Sequence, residues 1–202
     1  MNPVKLISAA LLGVTSLAQA IEEPTYAVIK THDGFEVRRY APYLVAETVV
    51  PGPAEEAGNL GFKILADYIF GNNRGEKKIA MTAPVSQTPV PVKLVMTAPV
   101  SQVATPGGFL VQFTMPAGYT LTTLPEPVDP RVKLREIPST KVVVLRYSGG
   151  WSQATYDENL QALRQAVDKA GLATVGEPIL SRYNSPFWLP FMRRNEIWLT
   201  LR

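Results

Sequence analysis

One imidazole, His32, and no thiol bound the chemistry open to this chain. A Ser-His-Asp unit has to use His32, which lies in the turn-like run His32-Asp33-Gly34, a poor place for a buried general base. Without cysteine, thiolate catalysis and zinc–sulfur sites are excluded, so His32 and carboxylates are the candidates for holding a metal ion. Glu47, Glu177 and Glu196, with Tyr40, Tyr183 and Trp198, supply residue types for acid–base work, yet no spacing among them makes a catalytic pair. The run Arg193-Arg194-Asn195-Glu196 reads as a turn into a strand whose carboxylate a nearby arginine neutralises. Apolar and soft groups are better supplied. Phe62, Ile64, Leu65 and Ile69 surround Lys63, and Met81 and Met96 occupy equivalent places in a duplicated segment.

The elements that must position these groups follow from period and punctuation. Tyr26 to Lys30 and Phe35 to Tyr40 flank Asp33-Gly34, a strong hairpin signal, and Leu44 to Val50 predicts a third strand. Pro51-Gly52-Pro53 stops it and opens a helix from about Ala54 to Phe70, with Leu60, Ile64 and Tyr68 at i, i+4 and i+8 and Gly71 at its end. The apolar residues of that helix occupy more than one face, so not all can point at one core. Lys78-Ile-Ala-Met-Thr-Ala-Pro-Val-Ser-Gln87 is nearly repeated as Lys93-Leu-Val-Met-Thr-Ala-Pro-Val-Ser-Gln102. Each copy is expected to be a strand that ends, or runs on a sheet edge, near its proline. Phe109 to Met115 is a further strand, and Leu124 to Pro130 a stiff proline-rich crossover. Val142 to Tyr147 is a strong strand. Gly149-Gly150 breaks it, Thr155-x-x-Glu158 fits a capping box, and Leu160, Leu163, Val167 and Ala170 form a helix face ending at Gly171. Ile179 to Tyr183 and Glu196 to Leu201 give the last strands, joined by an aromatic loop, Asn184 to Phe191, that either caps the core or rims a ligand groove, capping being the expectation. Strands, one amphipathic helix and strands again, twice over, predict a pseudo-twofold α+β domain with two helices on a curved antiparallel sheet.

Residues 1–20 read as an export signal: Lys5, an apolar run from Leu6 to Leu17 too short to span a bilayer, and Ala18-Gln19-Ala20 as a cleavage site. Residues 21–202 are then one domain, periplasmic or secreted, without disulfides and without a stable membrane span after processing. A net charge of +3 with Lys and Arg interspersed among Asp and Glu leaves no nucleic-acid footprint. Protein partners and oligomeric state are not legible at this level.

Four segments, in order, resemble the SOUL haem-binding family: Phe35-Glu-Val-Arg-Arg-Tyr40, Lys78 to Val85, Tyr119-Thr-Leu-Thr-Thr-Leu-Pro125, and Arg193-Arg-Asn-Glu-Ile-Trp198. The resemblance implies a distorted barrel-like fold of two β-α-β-β repeats, related to bacterial effector-binding domains of gyrase-inhibitor-like proteins. It also implies non-covalent binding of haem or another porphyrin in an apolar groove beside the first helix, by a carrier or buffer and not an enzyme. The groove residues it suggests are Phe62, Lys63, Leu65 and Ile69, with Met81 from the duplicated segment and Arg39. Arg39 stands where some animal members carry the histidine proposed as iron ligand, and a guanidinium cannot take that role. Basic helix positions of other animal members correspond to Asn59 and Asp67, which weakens a propionate clamp. His32 is the remaining candidate for iron. The rival expectations are a small-molecule hydrolase of the effector-binding type, supported by a carboxyl group of raised pKa in an apolar pocket, and a binding module for another amphipathic ligand.

Overall fold

The computed structural model describes residues 22–75, 77–89, 108–184 and 187–202. The expected export signal and the second copy of the duplication, with Met96, lie outside the described residues.

The hairpin forms where Asp33-Gly34 demands it. β1 (Tyr26–His32) and β2 (Phe35–Tyr40) pair with His32 opposite Phe35, and Gly34 takes the left-handed φ of 83° that an L side chain resists. β3 (Tyr43–Val50) leads through Pro53 into α1 (Ala54–Ile69), which ends before Gly71 at φ 122°. β4 (Val85–Pro89) and β5 (Phe109–Thr114) complete the first half; β6 (Lys133–Ile137), β7 (Thr140–Tyr147), α2 (Gln153–Lys169), β8 (Thr174–Arg182) and β9 (Asn195–Leu201) make the second.

Among the described residues, nine strands form one antiparallel sheet in the order β1-β2-β7-β9-β8-β4-β5-β3-β6. The trio β3-β5-β4, with α1 between β3 and β4, matches the trio β7-β9-β8, with α2 between β7 and β8. Each half lends its leading strand to the other: β2 pairs with β7, and β6 with β3. The halves meet where β4 pairs with β8, and there the buried hydroxyls of Ser86 and Ser181 lie 3.1 Å apart. Tyr40 and Tyr43 are 6.2 Å apart by ring centroids although five strands separate β2 from β3 in sheet order, so the sheet curls into a barrel-like form. The expected pseudo-twofold α+β domain is what the chain adopts.

Packing explains the helices. Ile64, Leu65, Tyr68 and Ile69 bury against Val111, Phe113 and Ala46 of the sheet, while Leu163 and Val167 of α2 cover Phe35, Val37, Val143 and Ile197. A third cluster, Tyr40, Val142, Val144, Tyr183 and Trp198, fills the opposite face of the second half.

Three local expectations need correction. The first duplicated segment forms a strand only after Pro84, from Val85, and that strand is paired on both sides and not an edge. Starting after the proline spares the ladder a missing donor. The α2 cap is Ser152, whose Oγ accepts from Thr155 N at 3.2 Å, so the helix begins earlier than a box at Thr155 predicts, and Ala170 is exposed beyond its last turn. The loop before β9 does not cap the core: Phe187 is 94% and Phe191 71% exposed.

Candidate functional site

The groove residues expected on α1 divide between two environments. Leu65 and Ile69 are fully buried under the helix, in the core of the first half, so in this conformation they back the surface and do not line it. Phe62 stays 38% exposed while its ring meets Phe113 edge-on at 5.3 Å, and Lys63 beside it is exposed. Met81 is 39% exposed on the segment between α1 and β4. That segment is tied down at both sides of Met81: Ile79 N donates to Ile69 O at 2.8 Å, and Thr82 Oγ1 donates to Thr114 O. Leu60 on α1 and Phe70 at its C-terminal cap are also exposed. The outward side of α1 thus mixes these apolar groups with Asn59, Lys63 and Asp67, which are exposed among them.

Arg39 and His32 belong elsewhere. Arg39 is exposed and shares its face of β2 with Phe35 and Val37, which pack under α2. His32 stacks on Phe35 with centroids 4.5 Å apart, and its Nε2 is buried without a hydrogen-bond partner. It borders a recess of about 340 Å³ with Tyr26, Glu36, Arg38 and Arg146. The structure therefore does not bring His32 or Arg39 beside Phe62 and Met81. No group of three or more His, Cys, Asp or Glu side chains suited to a metal occurs among the described residues.

A larger cavity, about 500 Å³, opens between the chain at Glu22–Thr25, the start of β3, and the turn after β5. Tyr43, Leu44, Met115 and Tyr119 contribute its apolar wall. Its charged lining residues are Glu22, Glu23 and Glu136, with no lysine or arginine. Burial pushes the Tyr43 hydroxyl up to about 12, so it stays protonated and able to donate. None of Phe62, Lys63, Leu65, Ile69, Met81 and Arg39 lines either concavity.

The densest polar constellation surrounds Glu196, which is 0% exposed. Arg38 Nη1 donates to both of its carboxylate oxygens at 3.1 Å, and Arg194 donates to Oε1 through Nε at 3.0 Å and Nη2 at 2.9 Å. Tyr183 Oη and Trp198 Nε1 donate to Oε2 at 2.8 and 2.9 Å. Outer partners complete the network: Glu36 takes Arg38 Nε at 2.7 Å, Glu23 takes Arg194 Nη1 at 2.8 Å, and the guanidinium of Arg38 sits 4.4 Å from the centre of the Tyr26 ring. Burial acts to raise the Glu196 pKa, but the two arginines and the hydrogen bonds outweigh it and hold the carboxyl below its ordinary range. A carboxylate so saturated is a fixed anion and a poor base. Glu47 is likewise engaged, by Arg135 at 2.9 Å, and Glu177 is exposed. Of this network, Glu196 and its arginine were legible in the last motif; Arg38 was missed, although alternation along β2 sets it on the face opposite Phe35 and Val37.

Comparison with known proteins points one way. A family model described as SOUL heme-binding protein matches residues 21–200. Heme-binding protein 2 of Homo sapiens is 28% identical over 189 residues, 90% of this chain and 87% of that one. Heme-binding protein 1 of Sus scrofa is 28% identical over 154 residues, 73% of this chain and 72% of that one. Among solved structures, the EcmrR C-terminal domain superposes with a TM-score of 0.59 at 12% identity, covering 83% of this chain and 96% of the other. A hydrolase from Listeria innocua gives 0.55 at 14% identity, with 83% and 91% covered. At such identities these two share the fold.

Proposed function

We propose, because the chain belongs to the SOUL heme-binding protein family, that it binds haem or a related tetrapyrrole non-covalently and acts as an exported carrier or buffer, freed from its leader near Ala20. The family match over residues 21–200 carries the reading. The residues at the α1 flank fit a macrocycle held by its face. Phe62 and Met81 offer a ring and a thioether at the surface, Leu65 and Ile69 stiffen the helix behind them, and Lys63 supplies a cation for a propionate. Haem would bring the iron and the extended apolar plane; the protein's share is contact and orientation, with Lys63 as the cation and Asp67 exposed one turn along the helix. Axial ligation by His32 is not part of this reading, since its Nε2 is buried and its strand lies at the far edge of the sheet.

Titrating the chain from Ile21 with haemin and with iron-free protoporphyrin tests it. Both should saturate with a Soret shift, His32→Ala should leave the shift in place, and Phe62→Ala with Lys63→Glu should weaken binding by roughly tenfold, the loss of one half-buried ring and one charge contact. Failure of both porphyrins to saturate defeats the tetrapyrrole reading, and loss of the shift in His32→Ala defeats binding without imidazole.

A second reading, a module for another amphipathic ligand, is favoured by the cavity of about 500 Å³, whose carboxylate rim suits a neutral or cationic apolar molecule and repels propionates. Displacement of porphyrin by such a dye would support it. Against the hydrolase alternative, Glu196 is held anionic by two arginines and not raised in an apolar pocket.

A further inference from the structure

The tip between β8 and β9 presents Phe187, Trp188, Leu189, Phe191 and Met192 to solvent, five large apolar side chains within six residues. Pro190–Met192 forms a short 3-10 turn with no buried residue, and none of these groups lines either concavity. Exposure on that scale is costly in water and calls for an apolar phase on the outside.

The backbone of the tip is prepared for such a phase. Met192 N donates to Leu189 O at 2.9 Å, Arg193 N to Pro190 O at 3.1 Å, and Gly149 N also reaches Pro190 O at 3.0 Å. Arg193 Nε closes on Trp188 O at 2.9 Å, and Pro190 has no N–H to satisfy. The carbonyls of Trp188, Leu189 and Pro190 are thus paired within the protein, so seating the tip against lipid costs them no hydrogen bond to water. Charge agrees. From Arg182 to Asn195 the chain has three arginines and no Asp or Glu; Arg194 is engaged by Glu23 and Glu196, which leaves Arg182 and Arg193 as the cations nearest the tip. The guanidiniums of Arg182 and Arg193 stack on Trp151 at the base of the tip, 4.8 and 4.5 Å from its ring centre. Aromatic side chains at the end and cations at the neck match the apolar boundary and the anionic headgroups of a bilayer surface.

We propose that Phe187–Met192 is a membrane-attachment tip that seats on an anionic lipid surface. The tip shares none of the residues assigned to the α1 flank, and it stands whether or not a porphyrin binds there.

Co-sedimentation of the chain from Ile21, which retains all nine strands and both helices, with phosphatidylcholine vesicles lacking or containing phosphatidylglycerol tests the proposal. The protein should partition onto the anionic vesicles, less at high salt, and Phe187→Ser with Phe191→Ser should reduce that partition at least about tenfold at unchanged far-UV dichroism. Acyl-chain-brominated lipid should quench the wild-type tryptophan fluorescence, and Trp188→Phe should remove the quenching. No association with either vesicle, equal association of the double serine variant, or equal binding to neutral vesicles overturns it. A concentration-dependent dimer abolished by the serine variant without vesicle binding also overturns it and assigns the tip to a second copy of the chain.

Discussion

The Glu196 carboxylate accepts from donors on β2, just after β8, in the turn before β9 and on β9 itself, so one side chain cross-links the second half of the sheet. Removing its charge leaves Arg38 and Arg194 facing each other in a buried space, and Glu196→Gln should cost about 3–5 kcal/mol in urea unfolding. The pH dependence has a definite sign. The folded carboxyl titrates below its ordinary value of 4.5, so its contribution is present above that pH and is lost as pH falls through the folded pKa. The stability gap between wild type and Glu196→Gln should therefore hold steady near neutrality and shrink on acidification; a gap that stays constant into the acid range would show the charge to be irrelevant. Tyr183, whose hydroxyl burial and the neighbouring Glu196 push well above the tyrosine range, should stay protonated through alkaline titration until the fold is lost. At this scale the sequence revealed the pairing of Glu196 with an arginine in the same motif. It concealed Arg38, more than 150 residues away, because only the β2-β7-β9 register brings the two together.

At the scale of elements, α1 shows how close packing can outweigh propensity. Gly61 lies over β5, where an added Cβ would stand 2.5 Å from Val111 Cγ2. Alanine is the better helix former by about 1 kcal/mol, yet Gly61→Ala should destabilise by about 1–3 kcal/mol through overpacking. The cost should fall when Val111→Ala is added, and a double variant no better than the single would refute the steric account. The helices and the hairpin were legible from period and from Gly and Pro. β6 was not: Lys133-Leu-Arg-Glu-Ile137 is a polar edge strand with little apolar signal, and only its pairing with β3 defines it. The start of β4 was also hidden, since Pro84 marks a boundary without saying on which side the strand lies.

For the whole molecule, exchange of β2 and β6 between the halves and the β4–β8 seam make the sheet continuous. Unfolding should be a single transition, with tryptophan fluorescence, which reports mainly the second half through Trp151, Trp188 and Trp198, coinciding with far-UV dichroism. Separated midpoints would show that the halves are independent. The repeated strand–helix–strand plan, the family motifs and the apolar character of α1 follow from the sequence alone, because period, turn chemistry and composition are local properties of the chain. Which faces those residues take is decided by long-range register and packing. Tertiary structure placed Leu65 and Ile69 inside and Phe62 and Met81 at the surface, moved His32 and Arg39 to the other half, and turned the aromatic loop outward. Local pattern says that a side chain seeks an apolar neighbour; only the folded chain determines whether that neighbour is its own core or something it binds.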